Sequence, residues 1–194
     1  MNITYLVGNG FDLNLGLETR YADFITVYKN QVLSDKNLEN FRWSVASNLA
    51  LWSNAELAFG KCTKDFANAS DFCDCHADFC TELASYLDKQ EDRLHFDSLE
   101  ELIPDIFVKS IKAYTKGFRE EQRQQILNCV DAVSGGITYN FISFNYTRTL
   151  DKCIDLARKK SLLGKRSHRG SSFDNSFGSV LHVHGFTDRD MVLG

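Results

Sequence analysis

From Tyr21 to about Val133 the chain holds its single proline, Pro104, few glycines, and apolar residues that recur at spacings of three and four. Such spacing puts the apolar side chains on one face of a helix, so the whole stretch reads as helical. The expected helices are Tyr21 to Leu33, Phe41 to Phe59, Phe66 to Leu87, Leu99 to Tyr114 and Glu120 to Val133. Pro104 marks either the first turn of a helix or a kink.

Strand signals flank this block. Ile3, Tyr5, Leu6 and Val7 make a short buried strand that stops at Gly8-Asn9-Gly10, and the chain turns amphipathic from Leu13. After Ser134-Gly135-Gly136, the run ITYNFISFNYT is rich in β-branched and aromatic residues, as a strand should be. Thr147 to Leu163 returns to helix, Gly164 to Gly178 reads as a Ser/Gly/Arg-rich loop, and SVLHVHG is a third strand ending at Gly185. Asp190 to Leu193 opens a fourth. Strands alternating with helices in this way predict a parallel α/β sheet, here with a large helical insertion after its first strand.

With 194 residues, 43% of them hydrophobic, the chain can bury a real core as one compact unit. A formal net charge of −4 gives no general attraction to nucleic acid or to an anionic membrane. The nearest basic patch runs through Arg158, Lys159, Lys160, Lys165, Arg166 and Arg169 and reads as a solvated loop. No apolar run approaches the ~18 residues of a membrane span, and the N-terminus lacks the features of a secretory signal, so a cytoplasmic protein is expected. Its six cysteines are then reduced thiols, with Cys129 and Cys153 as core fillers.

In a parallel sheet the carboxyl ends of all strands open on one edge, where ligands bind. Three motifs end strands: Gly8-Asn9-Gly10, Ser143-Phe144-Asn145-Tyr146-Thr147, and His182-Val183-His184-Gly185. The glycine turn favours a phosphate, or is a plain tight turn; with Leu13 in place of a third glycine it lacks the dinucleotide fingerprint, which disfavours an ordinary dehydrogenase. Asp12 either caps the helix or binds a ribose or base. Asn145 is either a helix N-cap, a job Thr147 does equally, or a ligand-binding amide. Strand alternation points His182 and His184 to one side. A metal pair would need further ligands that the sequence does not place. In Cys73-Asp74-Cys75-His76 to Cys80, helical spacing puts Cys73, His76 and Cys80 on one face and Cys75 opposite, an ordinary core stripe rather than a zinc site.

Gly8-Asn9-Gly10-Phe11-Asp12, with Gly16-Leu17, Thr19 and Tyr21 to Phe24 behind it, resembles the opening of the AbiH-like family of bacterial abortive-infection proteins. Phe144-Asn145-Tyr146-Thr147 and His184-Gly185 match that family too, and Trp52 with Glu56 resembles its tryptophan-and-acid helix signature. The family is in turn similar to the sirtuin-like superfamily, which binds NAD on a Rossmann-like sheet. The resemblance implies a Rossmann-like core from residues 1–20 and 134–194 with the helical insertion at 21–133, all in one domain. It implies Asn145 and His184 as catalytic residues, and Gly8, Asn9, Gly10, Phe11, Asp12, Thr19, Glu56, Thr147 and Gly185 around the nucleotide. NAD is then the substrate, with no metal. No Cys-x-x-Cys occurs, so hydrolysis of NAD is expected rather than peptide deacylation.

A non-catalytic nucleotide sensor in phage defence is the alternative, with a phage-derived trigger and self-association as expected partners. The resemblance also implies that related chains continue past the His-Gly strand. Met191-Val192-Leu193-Gly194 is then the start of a strand in a truncated or short form.

Overall fold

A computed structural model describes residues 1–30, 35–95, 102–188 and 191–193. The chain divides into two compact units: residues 1–7, 95–143 and 148–183 form the first, and residues 8–94, 144–147 and 184–194 the second.

The first unit holds the sheet. Strands β1 (Asn2–Val7), β2 (Thr138–Ser143) and β5 (Ser176–His182) run parallel in the order β1-β2-β5. This is the predicted parallel sheet, with a helical region following its first strand. Register pairs Val7 with Ser143 and Ser143 with His182. Between Tyr139 and Phe141 it slips by one residue on β5. Asn140 stitches that bulge by accepting the Ser179 N–H at 3.1 Å, and a Cβ at Gly178 would stand 2.1 Å from the Asn140 side-chain oxygen, so a larger residue there would have to displace this bond.

One face of the sheet is buried beneath helices. Phe107, in the helix Leu102–Lys112 that we label α7, packs on Phe141 and Phe177 at centroid distances of 6.0 and 6.2 Å, and the Tyr5 hydroxyl donates to the Ile111 carbonyl. Leu150, Cys153 and Ile154, from the helix Thr149–Lys159 (α9), join this core. On the opposite face Leu6 is 71% exposed and Leu181 58%, although the sequence places Leu6 in a buried strand. Parallel strands are normally covered on both sides.

The remaining helix of this unit, α8 (Glu120–Ala132), ends on the Arg166 guanidinium, which donates to the carbonyls of Val130, Val133 and Gly135. Arg166 belongs to a hairpin, β3 (Lys165–His168) with β4 (Ser171–Asp174), where the sequence predicts only a loop. Its two turn residues, Arg169 and Gly170, have φ of 47° and 82°, the left-handed pair a tight hairpin requires. Arginine in the place usual for asparagine or aspartate hides the turn. At Gly136, a Cβ would approach the Asp174 carbonyl oxygen to 1.9 Å. Gly136→Ala is therefore expected to cost about 1–3 kcal/mol in denaturant unfolding, the range for forced overpacking.

The second unit is helical. It contains α1 (Gly10–Asn14), α2 (Tyr21–Tyr28), α3 (Lys36–Ser47), α4 (Leu49–Trp52), α5 (Ala55–Cys62) and α6 (Ala69–Asp92). Leu33 and Leu99, the outer bounds of two predicted helices, lie outside the described residues. The predicted single helix from Phe41 to Phe59 is three pieces because two asparagines cap new helices: Asn48 accepts the Leu51 N–H and Asn54 the Leu57 N–H. Trp52 and Glu56 therefore stand on consecutive helices rather than on one.

The core of this unit is a cluster of rings set edge to face. Trp52 meets Phe59 at 5.0 Å, and Phe24 and Phe59 each meet Phe79 at 5.2 Å. Along α6 the inward residues are Cys75, Phe79, Leu83 and Leu87, while Cys73 is exposed, so the predicted orientation of the two cysteines is reversed. Burial, reinforced by nearby aspartates, pushes the Cys75 thiol up to about 11, which keeps it protonated and unreactive. Among the described residues no group of three or more His, Cys, Asp or Glu side chains is placed to hold a metal ion. Residues 191–193 form no strand, although the Val192 N–H donates to the His184 carbonyl at 3.0 Å; Asp190 is outside the described residues.

Candidate functional site

The second unit contains a cavity of about 230 Å3. Short segments and helix faces build it. The turn into α1 supplies Asn9 and Asp12, the stretch 144–147 supplies Phe144, Asn145, Tyr146 and Thr147, and His184 comes from the segment after β5. Thr19, Tyr21 at the start of α2, Glu56 in the first turn of α5, and Leu83 and Leu87 of α6 complete the lining.

Local bonding fixes several of these side chains. The Thr147 hydroxyl donates to the Asp12 carboxylate at 2.7 Å, and each residue is 1% exposed. Asn9 is clasped to Thr19, donating its amide to the Thr19 carbonyl at 3.1 Å and accepting from the Thr19 hydroxyl. Asn145 is buried and is not the N-cap of α9, which starts at Thr149 with Arg148 in the N-cap position. His184 lies against Tyr146 and Phe144 at ring distances of 5.4 and 6.1 Å. The Tyr21 and Tyr146 hydroxyls are 3.3 Å apart. Burial, above all, raises both phenols above their ordinary pKa, so both stay protonated at physiological pH.

Thus Asn9, Asp12, Thr19, Glu56, Asn145, Thr147 and His184 gather around one space, while Gly8, Gly10, Phe11 and Gly185 do not line it. Gly8 and Gly10 are exposed, and a Cβ at either would meet nothing within 4 Å. Neither has a positive φ, whereas Gly16, with φ of 85°, and Gly185, with 71°, do. Gly10→Ala is therefore expected to leave the denaturation midpoint unchanged or to raise stability by up to ~1 kcal/mol, by lowering the entropy of the unfolded chain.

The two histidines part company. β5 ends at His182, so strand alternation does not carry on to His184. His182 is a member of the sheet unit, its side chain 8% exposed and its Nε2 3.0 Å from the Asp151 carboxylate.

The tyrosine pair, Phe144, Leu83 and Leu87 are the lining residues that sequence reasoning misses. Tyr146 sits between two candidates, Asn145 and Thr147, and that adjacency is the available signal. A larger cavity of about 480 Å3 lies in the sheet unit beside Arg158 and Lys165 and holds none of the candidates. Much of the basic run is engaged there: Lys165 pairs with Asp174 at 3.4 Å, and Arg158 contacts Asp155 and the Gly178 carbonyl.

Fold and cavity together define an α/β protein with a cavity in its helical unit lined by both polar and aromatic side chains. Residues 4–194 match the bacteriophage abortive infection AbiH family, essentially the whole chain, and the protein belongs to that family. Its role is accordingly in abortive infection against bacteriophage. No curated protein and no solved structure matched the chain. Among the described residues no helix is long and apolar enough to cross a membrane.

Proposed function

We propose that the cavity receives the nicotinamide-ribosyl end of NAD and that the protein hydrolyses the nicotinamide–ribose bond, depleting the cell of NAD in answer to a phage-derived trigger. One observation carries this reading: Asn145 and His184, remote in sequence, line one cavity with Asp12 and Thr147. The volume fits the reading in part. About 230 Å3 lies below the roughly 300–1,000 Å3 of pockets that enclose drug-sized ligands, so one nucleoside end fits and a whole dinucleotide does not.

In the proposed reaction the C1′–N bond breaks and its electron pair passes to the pyridinium nitrogen, giving neutral nicotinamide. Asn145 orients a water and the ribose through its amide, and the water oxygen bonds to C1′. His184 takes the proton that this water releases, a role suited to an imidazole near neutral pH. Asp12, fixed by Thr147, faces the ribose side.

The test is nicotinamide release from NAD by the purified chain, with the thermal midpoint followed in the same samples. Release supports the hydrolase. A nucleotide-dependent rise in midpoint without release supports the sensor, a binding module that leaves chemistry to a partner, and the absence of both defeats the NAD reading.

A further inference from the structure

The charge of the cavity is the reverse of what a pyrophosphate would choose. Asp12 and Glu56 line it, and among the described residues no lysine or arginine does. Glu56 enters no ion pair among the described residues and lies close enough to bear on the ionisation of both Tyr21 and Tyr146. The sequence of the helical unit carries 9 Lys and Arg against 16 Asp and Glu, a formal charge of −7, while the sheet unit carries 13 against 10. A phosphate entering here would meet repulsion with no fixed cation to offset it.

A cation would meet the opposite. Carboxylate charge attracts it, and Tyr146 and Phe144, which line the cavity beside His184, supply ring quadrupoles of the kind that hold a cation within about 6 Å of a centroid. The two tyrosine hydroxyls share one hydrogen bond, so one phenolic proton of the pair is left to donate to a ligand oxygen such as a carboxamide carbonyl.

We infer that the cavity is a receptor for a nucleoside with a cationic base, the oxidised pyridinium of a nicotinamide-ribosyl group, held by the Glu56 charge and the aromatic wall without help from phosphate. This rests on the NAD reading above and narrows it to the recognised part. NAD is then bound through one end, with its phosphates in solvent, and the reduced form, whose dihydropyridine is neutral, is rejected.

The experiment is equilibrium binding by the full chain of nicotinamide riboside, NAD and NADH, repeated for Glu56→Gln and Gly10→Ala, with nicotinamide release recorded alongside. Nicotinamide riboside should bind within about 3-fold of NAD, and NADH at least about 10-fold more weakly than either. Glu56→Gln should weaken the two pyridinium ligands about 3–10-fold and leave NADH unchanged. Three results would each overturn the inference alone while NAD binding survives: NAD much tighter than the riboside, NADH equal to NAD, or Gly10→Ala weakening NAD but not the riboside. Binding of none of the three, with no nicotinamide release, would remove the NAD reading and this inference together.

Discussion

Arg42→Ala is expected to cost about 3–5 kcal/mol of stability, the range for breaking a buried ion pair from one side. The Arg42 side chain is 3% exposed and grips Asp78 with two donors, Nε to Oδ2 at 2.9 Å and Nη2 to Oδ1 at 2.5 Å. Tyr28 completes the group: its hydroxyl donates to Asp78 at 2.6 Å and its ring lies 4.4 Å beneath the guanidinium. Burial works against the Arg42 charge, but the bonds and charge of Asp78, with Tyr28 and Glu82, outweigh it, so the guanidinium ends above its ordinary pKa. Removing it leaves the Asp78 carboxylate against the aromatic core with its cation gone.

Arg42→Lys should fall between, keeping a charge and losing the fork that matches the carboxylate. Denaturant unfolding followed by tryptophan fluorescence reads both changes, since Trp52 is buried in the same unit. A loss below about 1 kcal/mol for Arg42→Ala would mean that the pair merely decorates the core.

Under the proposed hydrolysis, His184→Ala should lower nicotinamide release by about 10²–10⁴-fold, the usual contribution of a positioned general base. His184 is only partly buried, and the thermal midpoint of this variant is expected to stay near that of the parent chain. Asn145→Ala should lower release comparably, but Asn145 is 5% exposed, so part of any loss there reflects packing. Asn145→Asp keeps the shape and separates the two causes. Release that persists within about 10-fold in His184→Ala would reassign the base.

Much of the fold is legible in the sequence. The three- and four-residue spacing marks α2, α6 and α8, and the strand signals locate β1, β2 and β5, because a buried face imposes its period on the residues that form it. Asn9, Asp12, Asn145, Thr147 and His184, which share the cavity, lie in or beside the three motifs that the sequence singles out after its strand signals. What the spacing misses is local. Ser47-Asn48 and Ser53-Asn54 break a helix that apolar periodicity alone would continue, and Arg169-Gly170 makes a hairpin without its usual residues. The Tyr21–Tyr146 pair is hidden for a different reason: a buried tyrosine and a ligand-facing one look alike until both hydroxyls have positions.

The order of pairing along the chain also sets a timetable. Among the described residues β1 pairs with β2 alone, register Asn2 with Thr138, so during synthesis β1 waits for well over a hundred residues before it can be satisfied. The ring core drawn from α2 to α6 is local and can condense during that wait, whereas the sheet closes late and slowly, as non-local parallel pairing does. Until then the strand Asn2–Val7 is a short, unpaired segment open to misassociation.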